Sequence, residues 1–254
     1  DGAVQKYSGA VTVDSLDIQD ATTSVTLDGA VTTQTTLDIN SGGTLTQNKK
    51  VIAGTSLDYD AGGALTINET IAATTVDIDA TGVTTIAEAG DITASDAVTF
   101  GADKSGTLTT AGEITTSNDN VTFTNAVTQT GDVAIDTGSG AGNILFKSTV
   151  ATGDKNLTLD AGASGNITAD SSITGGGAMT VVDGAVQKYS GAVTVDSLDI
   201  QDATTSVTLD GALTSAGAVN IDSGGTIGIN AAASGTAFDI DATGVTTIAA
   251  AGDI

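Results

Sequence analysis

The chain has no cysteine, proline, tryptophan or histidine, and its seven basic residues are all lysines, so arginine is absent too. Without histidine, no side chain titrates near neutral pH at its ordinary pKa. The lysines, Lys6, Lys49, Lys50, Lys104, Lys147, Lys155 and Lys188, are scattered, so no base is set among clustered acids and catalysis is not expected. Aromatics make up 3%, and Tyr7, Tyr59, Tyr189 and the four phenylalanines do not cluster into a sugar-stacking platform. Against 7 basic residues stand 31 acidic ones, a formal charge of -24. Nucleic acid is thereby excluded as a partner, since binding it needs cations that release counterions. An anionic membrane surface would repel the chain, and no apolar run approaches a membrane-spanning length.

What is present is Gly, Ala, Thr, Asp, Val and Ile. Apolar residues reach 39%, enough for a core, but nearly all are small or β-branched and suit short strands around a narrow interior. The acids are aspartates except Glu69, Glu88 and Glu113. An acidic, Thr- and Asn-rich, cysteine-free composition suits the outside of a bacterial or archaeal cell, and an extracellular or cell-surface location is expected.

Repeats occur at two scales. Asp1 to Ala30, DGAVQKYSGAVTVDSLDIQDATTSVTLDGA, recurs unchanged at Asp183 to Ala212. DIDATGVTTIAEAGDI at Asp77 to Ile92 returns at Asp239 to Ile254 with Glu88 replaced by Ala250, but here the offset between copies is smaller. The second copy has therefore lost an internal stretch. A packed globular domain rarely survives such a loss, whereas a solenoid can drop one coil and keep stacking. Residues 1–254 therefore read as one continuous solenoid, with 1–182 one large unit and 183–254 the start of the next with one coil deleted.

The finer pattern agrees. Leu16-Asp17-Ile18, Leu37-Asp38-Ile39, Leu57-Asp58-Tyr59, Val76-Asp77-Ile78 and Val98-Thr99-Phe100 follow one another at nearly even steps, each about as long as the stretch missing from the second copy. Leu198-Asp199-Ile200, Val219-Asn220-Ile221 and Phe238-Asp239-Ile240 resume the series. Each is an in-out-in strand of period two. One strand follows (Val25-Thr26-Leu27, Leu45-Thr46-Gln47, Leu65-Thr66-Ile67, Val83-Thr84-Thr85-Ile86) and another precedes (Val11-Thr12-Val13, Val31-Thr32-Thr33). Three strands per coil of about 20 residues predict an all-β fold, a three-sided parallel β-helix or β-solenoid. Ser41-Gly42-Gly43, Ala61-Gly62-Gly63 and Ser223-Gly224-Gly225 mark corners where glycine supplies a positive φ. Val121 and Val133 stand too close together in the chain for a full coil of three strands, so an irregular coil or corner bulge is expected there. Neither terminus shows a capping segment over its last coil. The sequence is expected to be a window of a longer chain, or to join copies of itself end to end.

The coil consensus GAVTVDSLDI, followed by GGTLT or GGALT, resembles the repeats of filamentous-haemagglutinin-like adhesins and autotransporter passengers. That resemblance implies a right-handed parallel β-helix exported to the bacterial surface. No larger insertion suggests a receptor-binding subdomain, which favours a stalk or filament segment over an adhesin passenger that binds a ligand.

Two outward columns are candidate sites. Asp17, Asp38, Asp58 and Asp77, with Asp199 and Asp239 in the second copy and the corner acids Asp20, Asp60 and Asp79 nearby, place carboxylates one coil apart. They are candidates to share calcium, a hard cation satisfied by several oxygens, as in a calcium-stabilised surface-layer solenoid; the alternative is a solvated acidic face. The calcium-binding nonapeptide GGxGxDxUx is absent. Thr26, Thr46, Thr66 and Thr84 form a second column, of the kind an ice-binding solenoid presents, with Gln47 and variable corner spacing expected to interrupt it.

Overall fold

A run of apolar-polar-apolar triplets separated by turns can bury one side chain on each flank of every triplet only by wrapping the chain around a shared interior. The computed structural model does this over residues 2–248. Asp1, residues 249–254 (the end of the second copy, with Ala250) and the side chain of Asp20 lie outside the described residues. Every described strand pairs in parallel with the equivalent strand one coil on, and the described residues contain no helix.

Three sheets result. Sheet 1 runs from Gly2–Tyr7 through Val25, Leu45, Leu65, Thr84, Leu108, Val127, Val150, Ile173, Val193 and Leu213 to Ala233. Sheet 2 runs from Val11 through Val31, Val51, Ile71, Ile92, Ile114, Val133–Asp136, Leu157, Met179, Leu198 and Val219 to Phe238. Sheet 3 steps through Leu16, Leu37, Leu57, Val76, Val98, Val121, Ile144, Ile167, Gln187, Val207, Ile227 and Thr246. Coil length varies little along it, and the longest coils are those between Val98 and Ile167. About twelve coils at roughly 4.8 Å make a rod about 60 Å long.

The expected core is in place. Ile18, Leu37, Ile39, Leu57, Val76 and Ile78 are buried, as are Tyr59, Phe100 and Phe123, while Leu16 in the first coil is partly buried against the core. Phe100, Phe123 and Phe146 stack one above another, with centroids 5.1 and 4.8 Å apart and rings within 8° of parallel. An in-register parallel ladder places identical inward side chains directly over each other, and flat rings fill that column without gaps.

The expected irregularity takes a definite form. The coil from Val121 to Ile144 is complete, with a strand in each of sheets 3, 1 and 2. What moves is the long connection. In early coils it turns the corner from sheet 3 to sheet 1, as at Ser41-Gly42-Gly43; from Asp136 onward it turns the corner from sheet 2 to sheet 3, as at Ser223-Gly224-Gly225. The large sequence repeat is therefore not a whole number of coils. Eight coils lead from Leu16 to Gln187, both in sheet 3, and two further corners bring Leu198 to sheet 2. Identical sequence occupies different sheets: Gly2–Tyr7 lies in sheet 1, and its copy Gly184–Tyr189 in sheet 3.

The corner glycines serve a purpose other than the expected one. Among the described residues the glycines with positive φ are Gly101, Gly138, Gly153 and Gly162, not the Gly-Gly corners. At Gly43 and Gly225 space decides, because a Cβ there would collide with the carbonyl oxygens of Thr23 and Thr205 in the coil below.

Candidate functional site

Sheet 3 carries the acidic column. Asp17, Asp38, Asp58 and Asp77 are in register on consecutive coils, and beside them Asn40, Asp60 and Asp79 form a second outward file. Asp199 and Asp239 do not continue this column. They lie in sheet 2, two coils apart with Asn220 between them, because the large repeat advances by eight and two-thirds coils. Asn220 Nδ2 donates to Asp199 Oδ1 at 2.9 Å.

The column is densest at the two-by-two block of Asp58, Asp60, Asp77 and Asp79. The connection after Phe100, turned by Gly101 at a φ of 71°, folds over one edge of it. There the Asp103 amide donates to both carboxylate oxygens of Asp79 at 3.3 Å, Lys104 Nζ sits 2.8 Å from Asp60 Oδ1, and Asn125 Nδ2 pins the Lys104 carbonyl at 2.6 Å. Asp79 is buried, and Asp77 Oδ1 is a buried oxygen with no hydrogen-bond partner. Loss of surrounding water, and then the neighbouring carboxylates, raise the pKa values of Asp38 and Asp77; Asp79 is raised chiefly by burial. The same two causes push Asp58 up to about 6, although its outer edge still meets solvent.

A calcium ion needs six to eight oxygens converging on one point. Here each coil supplies one carboxylate per file, Asp60 is paired with Lys104, and among the described residues no three acidic side chains are grouped to hold one ion.

The second column is longer and cleaner than the sequence suggested. In sheet 1 the outward mid-strand position is held in turn by Thr26, Thr46, Thr66, Thr85, Thr109, Thr128, Ala151, Thr174, Thr194, Thr214 and Ser234. Two expectations are corrected. Thr84 is buried and Thr85 faces out, because inward Ile86 sets the parity of a period-two strand. Gln47 does not interrupt the column, since it points inward, accepting from the Tyr59 hydroxyl at 3.2 Å and donating to the Glu69 carbonyl at 2.9 Å. Corner spacing varies without displacing the mid-strand column, because extra residues bulge at corners and strand ends, as between Ala151 and Gly153.

Sequence reasoning missed the connection over Asp79. Its only trace is the lengthened step from Val98 to Val121, which contains the GADKSG stretch. Lysine pairing is local: Lys6 meets Asp28 at 2.8 Å, and its copy Lys188 meets Asp210 at 3.8 Å on a different sheet. In comparisons with family models, curated proteins and solved structures, nothing matches this chain.

Proposed function

We propose that this chain is a structural segment, a rigid acidic stalk or filament section, of a secreted repetitive surface protein of the filamentous-haemagglutinin or autotransporter-passenger kind. The observation that carries the reading is the unbroken parallel ladder on three sheets from Gly2 to Ile248. A solenoid of this kind converts sequence length directly into axial length, and each coil needs only its neighbours. The acidic outer files keep such a rod soluble. End-to-end stacking of copies, or continuation of the same chain, extends it by the same strand pairing that joins its own coils. Two measurements test this. Electron microscopy of the purified chain should show rods about 60 Å long or multiples of that length. Surface digestion of intact source cells should release peptides of this sequence. Compact particles, or peptides found only after lysis, would refute the proposal.

A further inference from the structure

Sheet 1 is set apart by what its outer face lacks. From the coil of Thr26 to that of Ser234, neither its mid-strand column nor the outward position two residues earlier (Ser24, Thr44, Ala64, and so on to Ala232) carries an ionisable side chain, in a chain of formal charge -24; the charges at its margin include Lys6, which heads the column and pairs with Asp28, and Asp196 at a corner. The advance of eight and two-thirds coils per large repeat, one-third short of nine, explains this. It moves the Leu-Asp-Ile motif from sheet 3, where it bears Asp17 to Asp77, to sheet 2, where it bears Asp199 and Asp239, and within the described residues it never delivers that motif to sheet 1.

We infer that this threonine face is a lateral contact surface for the same face of a second copy, laying two rods side by side. The contact is separate from end-to-end stacking and does not depend on it. Charge favours this occupant. Approach through sheet 2 or sheet 3 sets like charges against each other, whereas on sheet 1 the acidic files point away, and charges more than about 8 Å apart are largely screened at physiological salt. Shape favours it as well. Small side chains repeated about every 4.8 Å on an in-register parallel sheet can interdigitate with an identical array, as in dry interfaces between paired sheets. The face is about 50 Å long and about 10 Å wide. Pairing it buries about 500 Å² per copy, or about 1,000 Å² in total, at the lower end of specific interfaces, so the pair is expected to be reversible.

Sedimentation of the intact chain over a wide concentration range, with small-angle scattering on the same samples, tests this. The expected result is a reversible dimer no longer than the monomer. Thr109→Glu with Thr128→Glu, in the middle of the face, should weaken association by about tenfold or more. Thr122→Glu with Thr168→Glu adds the same charge on sheet 3 and should leave association unchanged. Circular dichroism establishes that both variants are folded. Since the chain has no cysteine, Thr128→Cys supplies an independent readout: mild oxidation should link two copies through sheet 1, and Thr122→Cys should not. A strictly monomeric chain, equal loss in both double variants, or a dimer of doubled length would overturn the inference. So would a monomer that slows ice growth in a Thr128-dependent manner, which would assign the face to ordered water.

Discussion

Replacing Asp58 by asparagine tests whether the acidic block is held together against its own charge. Asp58 stands between Asp38 and Asp77 in one file and beside Asp60, and its carboxyl is pushed from 3.8 to about 6. Taken at face value, that shift corresponds to roughly 3 kcal/mol at about 1.4 kcal/mol for each pH unit. Because the side chain is solvent-exposed, screening reduces the effect to about 1 kcal/mol. The sign follows from proton linkage. The folded state holds this proton more tightly than the unfolded chain, so folding is favoured as pH falls through about 6 towards 3.8 and is penalised fully above that window. The parent should therefore melt at a higher temperature near pH 5 than near pH 7.5. Asp58→Asn should raise the midpoint by about 2–4 °C at pH 7.5, a gain that shrinks steadily towards pH 4. Thermal melts of both proteins across this range, by circular dichroism and calorimetry, provide the assay. Equal melting of variant and parent at pH 7.5, or a gain that grows on acidification, would refute the reasoning.

Four further outcomes are expected. Phe123→Ala removes the middle ring of the stack and should cost about 3–5 kcal/mol, read from denaturant unfolding. Gln129→Leu should stabilise by about 1 kcal/mol, because both amide atoms of Gln129 are buried without a hydrogen-bond partner; a loss would mean the amide is satisfied in solution. Deleting Asp38 through Leu57, one whole coil, should leave a folded rod one coil shorter, whereas deleting half that stretch should abolish cooperative melting. A calcium chelator should leave the melting temperature unchanged, since among the described residues no three acidic side chains are grouped to hold an ion; stoichiometric calcium uptake by calorimetry would contradict this.

Much of the molecule was legible in its sequence. Period-two triplets such as Leu37-Asp38-Ile39 declare an inward pair and an outward residue, and the nearly even steps between them declare a coil. The stretch missing from the second copy measures that coil independently. The Asp17 to Asp77 file follows directly, since side-chain direction in a strand is a local property. The sheet that each triplet joins is not local. A triplet fits any of the three sides equally well, and its side is decided by how many corners the chain has turned, which depends on connections many coils away. Hence Asp199, identical in its sequence surroundings to Asp17, lies on another sheet, and the threonine face emerges only when Thr26 from one motif and Thr194 from another are brought into a single column. The collision that requires Gly43 and the fold of Lys104 back over Asp60 were likewise decided by neighbouring coils. Within a strand, inward Ile86 settles which of two adjacent threonines is buried; contacts between coils determine which acid acquires a partner.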